Sequence, residues 1–508
     1  MRHATRFFLF VVAIVGVIGR GVLAMEAQAE RPNILFIYTD DHSYRTISCY
    51  PEAFDWVRTP NIDALARDGM RFTHAYVGTW CMPSRATLLT GHHQFGVESM
   101  RMEGKYPGSA YDPEQCPFWP SVFRKNGYLT AHIGKWHTGT DTGFGRDWDY
   151  QIVWNRPKHP DTSQHYYYDQ PITYQGGETK MLQEYSTDKY TDWAVDFLQG
   201  KGRDEAKPWY LWLCYGAVHS PFTPADRHLK DYEGIDVPTP ADIFPPRPGK
   251  PDWAQRIEFW KRGPNGEPVY GGRNGKTLHA WVRQYHQAVK ALDEGIGRVL
   301  KTLDETGQRD NTLIVFTSDQ GFAWGQHGFR HKMAAYDANI RSPMVVSYPK
   351  VIPKGSVCET PVGGVDIVPT IFSFAGMKHP WQFHGHDLTP LLRDPKADWP
   401  HPILLTNTNR AYGSATATPP ANGIDHNSGI PWYVMLRKER WKYVRALIPD
   451  AMEELYDLDE DPEELTNLAM QTASQGTLRE LRQAAIEELQ RNSAPFANNL
   501  PAVKEVTP

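Results

Sequence analysis

A single cysteine stands at what the sequence indicates is the start of a helix, in the stretch "TWCMPSRATLLTGHH" at residues 79–93. Cys81 is followed by Pro83, by Arg85 and by a short apolar run. A thiol at a helix N-terminus near a cation is expected to have a lowered pKa, because both features favour the thiolate. The residues therefore predict a reactive thiol, with a buried structural cysteine as the alternative.

Acidic side chains follow two apolar runs that have the character of buried strands. The run "NILFIYTDD" ends in Asp40 and Asp41, and the run "NTLIVFTSDQG" ends with Asp319 and Gln320. Three carboxylates in one crevice repel one another unless a cation lies between them. Oxygen ligands favour a hard ion such as Ca²⁺ or Mg²⁺, and the set lacks the histidines and cysteines typical of zinc. Solvated loop acids or helix caps are the alternative.

Basic side chains lie near the ends of the same kind of run. In chain order they are Lys135, His137, His219, Arg330, His331 and Lys332. Singly, such residues are most often surface groups or hydrogen-bonded structural histidines. Together they could bind a compact dianion and supply a general acid and a general base.

The elements that must position these residues alternate between strand and helix. Apolar runs predict buried strands, and helical spacing of apolar residues appears at 59–72 and 284–307. This alternation predicts an α/β fold, a mainly parallel sheet flanked by helices, in which ligands bind beyond the carboxyl ends of the strands. The segments 138–180 and 225–283 are rich in Pro, Gly, Trp and Tyr and could frame a pocket.

The pattern changes near residue 400. Residues 432–446 have the character of a hairpin, and residues 477–491 that of an amphipathic helix. We predict a catalytic domain at 30–400 and a smaller C-terminal α+β subdomain at 401–508, formed by an antiparallel sheet and a helix.

The first residues have the character of a signal peptide, predicted here as 1–29. A basic start is followed by an apolar run from Phe7 to Gly19, and "AQAE" offers cleavage after Ala29. The run is shorter than the roughly 20 apolar residues of a membrane span. The sequence thus predicts an exported protein, periplasmic or secreted, with no stable membrane span; an uncleaved anchor is the alternative.

Charge and cysteine content narrow the classes of partner. The formal net charge is −5, from 54 basic and 59 acidic residues, and this near balance argues against a nucleic-acid partner. Five cysteines in an exported monomer leave at least one thiol unpaired. Besides Cys81, the cysteines could pair in three ways or could equally be buried thiols; they are Cys49, Cys116, Cys214 and Cys358.

The motif around Cys81 resembles the signature of the type I sulfatases, which belong to the alkaline-phosphatase superfamily. The matching letters are Cys-x-Pro-Ser-Arg followed by "LLTG". The runs "RPNILFIYTDDHS", "GYLTAHIGKWHTG", "DNTLIVFTSDQG" and "ELYDLDEDPEELTNLA" also resemble blocks of that family, in the same order, so that the likeness spans roughly residues 31–470. The resemblance implies an alkaline-phosphatase-like fold. It also implies that a formylglycine-generating enzyme oxidises Cys81 to Cα-formylglycine, or 3-oxoalanine.

The resemblance implies a metal site as well. Asp40, Asp41, Asp319 and Gln320 are similar to the family's ligands for one divalent cation, which we expect to be Ca²⁺ in preference to Mg²⁺. The modified Cys81 would complete the set through oxygen, which removes the mismatch between a soft thiolate and a hard ion. Many members have Asn at the position of Gln320, so the longer side chain alters the geometry but keeps an amide oxygen.

The family's catalytic roles transfer to the basic residues. One hydroxyl of the hydrated aldehyde would attack sulfur, with Arg85 and Lys135 holding the modified residue. His219 and Lys332 would contact the sulfate, and His219 is a candidate acid for the leaving oxygen. His137 would take a proton from the second hydroxyl, so that sulfate is released and the aldehyde is restored.

The resemblance thus predicts a sulfuric ester hydrolase that removes sulfate from a sulfate monoester. Export, the aromatic content and the long segments 138–180 and 225–283 favour a sulfated carbohydrate over a small sulfate ester. Hydrolysis of aryl sulfate, phosphonate or phosphate esters is one alternative, and a non-catalytic sulfated-glycan binder is another. Arg330 and His331 could contact the substrate or serve a structural role.

Overall fold

The computed structural model describes residues 31–98, 111–272, 275–425 and 428–504. The signal peptide predicted at 1–29 lies outside these residues. Among the described residues, no helix combines the length and the apolar character needed to cross a bilayer.

The described residues form helices and strands throughout both predicted domains. The strands are β1 (Asn33–Thr39), β2 (Met70–Tyr76), β3 (Leu129–Trp136), β4 (Tyr150–Asn155), β5 (Gln170–Tyr174), β6 (Thr179–Leu182), β7 (Trp209–Cys214), β8 (Trp260–Arg262), β9 (Pro268–Tyr270), β10 (Thr312–Ser318), β11 (Ser342–Ser347), β12 (Ser356–Cys358), β13 (Val362–Gly363), β14 (Ile403–Asn407), β15 (Tyr433–Lys438), β16 (Trp441–Ala446) and β17 (Glu454–Asp457). The helices are α1 (Pro60–Arg67), α2 (Cys81–Thr90), α3 (Pro120–Lys125), α4 (Ser186–Leu198), α5 (Asp252–Gln255), α6 (Leu278–Glu305), α7 (Asp337–Ile340), α8 (Ile367–Phe374), α9 (Thr389–Arg393) and α10 (Gln475–Arg491).

A large mixed sheet forms the centre of the molecule. Its strand order is β12-β2-β11-β10-β1-β7-β3-β4-β5-β6, with β13 also paired to β2. The five central strands β10, β1, β7, β3 and β4 are mutually parallel, whereas β11 is antiparallel to β10 and β5 is antiparallel to β4. The predicted α/β class with a mainly parallel sheet is confirmed.

Both faces of this sheet are buried, which explains why its strands are continuously apolar. In β1, Leu35 and Ile37 pack into a core cluster with residues of α1, α4 and α6. The intervening Ile34 and Phe36 face the opposite side and pack with residues of α2, α3, α8 and α9. The helices on the two faces hold the strand ends in fixed relative positions.

A second, antiparallel sheet of order β14-β15-β16-β17 follows in the chain. One face packs on α10, with Leu436 near Leu478 and Leu481 in a single cluster. The other face packs on residues of the preceding part of the chain, with Met435 in one cluster with Phe329. The small sheet is therefore buried on both sides.

A buried ion cluster connects the small sheet to the segment after β10. Lys442 on β16 donates through Nζ to Asp337 Oδ1 at 2.5 Å, to Glu464 Oε1 at 2.7 Å and to the Ala335 carbonyl at 3.0 Å. The Lys442 side chain has no exposed surface. Removing one member of such a cluster leaves the partner charges buried without compensation.

We expect Lys442→Met to lower the free energy of unfolding by about 3–5 kcal/mol, because two buried carboxylates lose their cation. Chemical denaturation followed by circular dichroism measures this change. The matched control is Lys438→Met on the neighbouring strand, whose partner Glu480 is exposed; it should cost at most about 1 kcal/mol. Equal losses in the two variants would contradict the assignment.

The five cysteines all lie in the described residues, and no disulfide joins any two of them. Cys49 is partly buried and the other four are buried. Of the two possibilities that the sequence left open, the structure has buried thiols.

Candidate active site

Four parallel strands bring the predicted residues to one edge of the central sheet. β10, β1, β7 and β3 are neighbours in that order, and Thr39 at the end of β1 lies opposite Ser318 at the end of β10. Asp40 and Asp319 are the next residues on these two strands, so that their positions are set by the register of the sheet.

Asp40 is held by two cations in a fully buried position. Its Oδ2 accepts from Lys135 Nζ and lies 3.4 Å from Arg85 Nη2. Arg85 also donates to the Lys135 carbonyl at 3.2 Å, which ties α2 to the end of β3. The other oxygen, Asp40 Oδ1, is buried and has no hydrogen-bond partner.

Asp41 points into the same crevice from a left-handed backbone conformation, with φ of 54°. Its Oδ1 accepts from Lys332 Nζ at 2.5 Å and from Gln320 Nε2, and its Oδ2 lies 3.5 Å from His219 Nε2. Burial raises the pKa of Asp41 to about 6, against the opposing effect of Lys332. A cation placed here would stabilise the ionised carboxylate.

Asp319 and Gln320 also line this crevice. Asp319 Oδ1 accepts from the Asp41 backbone N–H at 2.9 Å. Asp319 Oδ2 and Gln320 Oε1 are buried without a partner, like Asp40 Oδ1. Buried oxygens are rarely left unpaired in folded proteins. Three such oxygens in one crevice are the ligands that a hard cation prefers.

Four side chains of the crevice lie close enough together to bind a single metal ion. One ligand atom from each lies within 4.8 Å of the others; the residues are Asp40, Asp41, Cys81 and His219. Cys81 is the first residue of α2. The helix is followed by Gly91, whose φ of 74° is left-handed. Cys81 Sγ lies 2.8 Å from Lys332 Nζ. The sulfur atom therefore lies between the carboxylates of Asp40 and Asp41 and the ammonium group of Lys332, which belongs to the loop after β10.

The predicted lowering of the Cys81 pKa is wrong. Burial raises the pKa of Cys81 to about 12, and the lowering effect of Lys332 does not compensate. The side chain is 2% exposed, so the thiolate would lose its hydration. Position at a helix start is visible in a sequence, whereas this burial is not.

Two histidines face the crevice as neutral rings. Burial lowers the pKa of His219 well below its ordinary value, and Lys332 and Lys135 act in the same direction. Its Nδ1 is 2.8 Å from the Ser220 carbonyl, which can only accept, so Nε2 faces Asp41 without a proton. Burial likewise lowers the pKa of His137 well below its ordinary value. Such rings can take up a proton when a negative charge develops beside them.

The chain resembles known proteins over most of its length. A family model described as "Sulfatase" matches residues 32–377. The chain belongs to the sulfatase family. A second model, described as "N-sulphoglucosamine sulphohydrolase, C-terminal", matches residues 325–492. The predictions of the sulfatase family and of a sulfate-ester hydrolase are confirmed.

Relatives of this sulfatase match over nearly the whole chain. It is 30% identical to an N-acetylglucosamine-6-O-sulfatase of Bacteroides thetaiotaomicron, over 94% of this chain and 89% of that protein. A solved structure in complex with its substrate D-glucosamine-2-N,6-O-disulfate is 27% identical, with a TM-score of 0.76, over 91% of this chain and 98% of that one. A phosphonate monoester hydrolase of Agrobacterium radiobacter, at 24% identity and a TM-score of 0.67, covers 91% of this chain and 96% of its own and shares the fold.

Two residues of this sulfatase site were not found from the sequence. Arg156, just after β4, places Nη1 3.1 Å from His137 Nδ1. The Tyr166 ring stacks on His219 with 3.8 Å between centroids and 3° between planes. Both lie in the aromatic segment 138–180 that was predicted to frame a pocket. An isolated arginine and one tyrosine among many carry no motif that could have marked them.

We expect Tyr166→Leu to lower kcat/KM by up to about tenfold, because the ring that fixes the plane of His219 is lost. Steady-state hydrolysis of an aryl sulfate measures the effect. Tyr168→Leu is the matched control, since Tyr168 lies in the same segment and contacts Tyr185, at 5.4 Å between centroids. A loss in the control as large as that in Tyr166→Leu would contradict this role for Tyr166.

His331 and Arg330 lie beside Lys332 in different surroundings. His331 is partly buried: its Nδ1 contacts the Lys332 carbonyl at 2.7 Å and its ring packs near Phe259. These contacts favour a structural role for His331. Arg330 lies over two aromatic rings, 4.2 Å from the Tyr270 centroid and 4.9 Å from that of Trp281.

Proposed function

We propose that this sulfatase removes sulfate from a sulfated carbohydrate, using an aldehyde formed from Cys81 and one divalent cation. One observation carries the proposal: Cys81 Sγ lies among the carboxylates of Asp40 and Asp41 and within 2.8 Å of Lys332 Nζ. In the modified residue, oxygen would stand in the place of this sulfur. An oxygen nucleophile and carboxylate ligands suit the same hard ion.

The oxygens of Asp40, Asp41, Asp319 and Gln320 would hold the cation, together with the oxygen of the modified Cys81. We propose Ca²⁺ rather than Mg²⁺, because Mg²⁺ usually retains several waters, whereas Ca²⁺ accepts a flexible set of protein oxygens. The buried and unpartnered oxygens in this crevice support an all-protein set. When bound, the cation would polarise the attacking oxygen and offset charge on the sulfuryl oxygens.

As a hydrate, the aldehyde would supply, as the nucleophile for sulfur, one hydroxyl, which loses its proton as the sulfur–oxygen bond to the sugar breaks. Proton loss from its second hydroxyl would let sulfate leave and restore the aldehyde. Arg85 and Lys135 lie beside Asp40 and would hold the modified residue in place. Lys332 already contacts Sγ and would bind both the modified residue and a sulfate oxygen.

His219 and His137 would move the protons. His219 Nε2 faces the crevice and would deliver a proton to the leaving sugar oxygen once the negative charge of the substrate favours its protonation. His137, held by Arg156, would accept the proton of the second hydroxyl. A neutral His137 is the form that can act as a base.

A sulfated sugar is the proposed substrate class, and two comparisons support it. The relative from Bacteroides thetaiotaomicron is an N-acetylglucosamine-6-O-sulfatase, and the solved structure at 27% identity holds a glucosamine disulfate.

The test is desulfation of a panel of sulfated mono- and oligosaccharides, with an aryl sulfate and an aryl phosphonate assayed in parallel. We expect sulfate release from at least one sugar at a kcat/KM well above that for the aryl sulfate. A preference for the phosphonate would favour the alternative hydrolase. Binding of sulfated sugars with no release of sulfate would favour a glycan-binding protein.

The proposal also includes maturation of Cys81 and export of the chain. A formylglycine-generating enzyme would oxidise Cys81, and cleavage after Ala29 would release the chain into the periplasm or the medium. N-terminal sequencing of the protein recovered from those fractions tests the export; a start at Met1 would contradict it.

A further inference from the structure

Arg330 is a partly buried cation without an anionic partner. Among the described residues, its guanidinium takes part in no salt bridge and no hydrogen bond; its contacts are the faces of Tyr270 and Trp281. Two more deeply buried arginines, one at the site and one elsewhere in the domain, differ from it. Arg85 pairs with Asp40, and Arg341 pairs with Glu52 at 2.7 Å. A half-buried charge that lacks such a partner gains most from a ligand that supplies one.

The position of Arg330 relates it to the reaction centre. It precedes Lys332, which contacts Cys81, by two residues. The Trp281 ring beneath it contacts the Phe222 ring at 4.4 Å, and Phe222 lies three residues after His219 on the same loop. Arg330 is therefore linked, through the chain and through ring packing, to the loops that carry Lys332 and His219.

Arg330 interacts electrostatically with Asp41, but among the described residues it forms no salt bridge or hydrogen bond with the crevice. Apart from the Tyr270 phenol, the group whose charge acts on the pKa of Arg330 is Asp41, against the lowering caused by burial. Asp41 is already bonded to Lys332 and Gln320. Arg330 is therefore not needed to neutralise Asp41.

The aromatic contacts also determine what Arg330 can bind. Contact with the Tyr270 and Trp281 rings restrains the guanidinium, and its free N–H groups remain available. Such a guanidinium suits bidentate binding of a sulfate or carboxylate. A neutral hydroxyl would recover much less of the energy lost on burial of the charge.

We propose that Arg330 binds a second anionic group of the substrate, a sulfate or a carboxylate on the sugar that carries the ester to be cleaved or on its neighbour. This inference rests on the proposed function and deepens it: the substrate is a sugar with at least two negative charges, one removed at Cys81 and one held by Arg330.

The experiment compares kcat/KM for matched substrates in the wild type, Arg330→Gln and Arg330→Lys. The substrates are singly and doubly sulfated hexosamines with the same cleavable ester, and a sulfated disaccharide that carries a uronate carboxylate in place of the second sulfate. The singly and doubly sulfated hexosamines together test whether Arg330 binds a second sulfate. The disaccharide with the uronate tests whether Arg330 binds a carboxylate. Arg440→Gln is the control, because Arg440 makes the same kind of contact with Trp441, 4.9 Å from the ring centroid, on the small sheet.

We expect Arg330→Gln to lower kcat/KM for a dianionic substrate by about 10- to 100-fold and to change that for the singly sulfated sugar by less than about threefold. Arg330→Lys should restore part of the loss, and Arg440→Gln should show none. Equal losses on singly and doubly charged sugars, or no loss on either, would overturn the inference while leaving the proposed function intact. If the wild type releases sulfate from no sugar, the proposed function fails, and this inference fails with it.

Discussion

Cys81→Ala should reduce sulfatase turnover to below about 10⁻⁴ of the wild-type value, because the nucleophile and one ligand position are lost together. The fold should remain intact, because the side chain is small and the neighbouring residues are held by contacts of their own, such as the salt bridge between Lys135 and Asp40. Hydrolysis of an aryl sulfate, with the thermal unfolding midpoint measured in parallel, gives both readouts.

The matched control for this variant is Cys358→Ala, which removes another buried free thiol. Cys358 packs in the cluster on the α8 side of the central sheet, away from the carboxylates. Its loss should cost stability and leave kcat unchanged. Peptide mass spectrometry of the wild type should show that residue 81 has lost two hydrogens and exchanged sulfur for oxygen. Fully active protein with an unmodified thiol would contradict the proposal.

Asp319→Ala should abolish stable metal binding and lower kcat by about 10³-fold or more, since a bound cation contributes several kcal/mol to the transition state. Asp319 Oδ1 also fixes the backbone of Asp41, so that the variant loses a ligand and loosens another. Metal content by mass spectrometry of the purified protein is the direct readout. Unchanged metal content would contradict the assignment of Asp319 whatever the activity.

The control for Asp319 is Asp293→Ala, another buried acid with a structural task. Asp293 accepts from the backbone N–H groups of Asn61 and Ile62 at the start of α1. We expect this variant to lose stability but to retain its cation. The difference between the two variants separates the loss of a metal ligand from the general effect of removing a buried carboxylate.

The positions of the strand-end acids could be predicted because they follow from local pattern and a general property of parallel sheets. Asp40 and Asp319 each follow an uninterrupted apolar run, and such runs are strands buried on both faces. The strand order that makes β1 the neighbour of β10 and β7 depends on packing across the whole domain. Apart from the family resemblance, no local pattern in the chain indicates that order.

The errors and omissions at the site have one physical origin, which is burial. The sequence shows that Cys81 begins a helix, but not that the whole of α2 is enclosed, so the predicted direction of its pKa was wrong. Arg156 and Tyr166 were missed for the same reason, since their importance lies in contacts with His137 and His219. Contacts between distant segments are made by the fold and leave no local mark in the chain.

The enclosure of Cys81 has a consequence for the order of events during biosynthesis. Lys332, from a segment synthesised some 250 residues later, lies directly against the sulfur, and the thiol is 2% exposed. No other enzyme can reach it once the loop after β10 has closed. Under the proposed function, the oxidation would therefore have to act on a nascent or still unfolded chain, and a molecule that folded before this step would remain inactive.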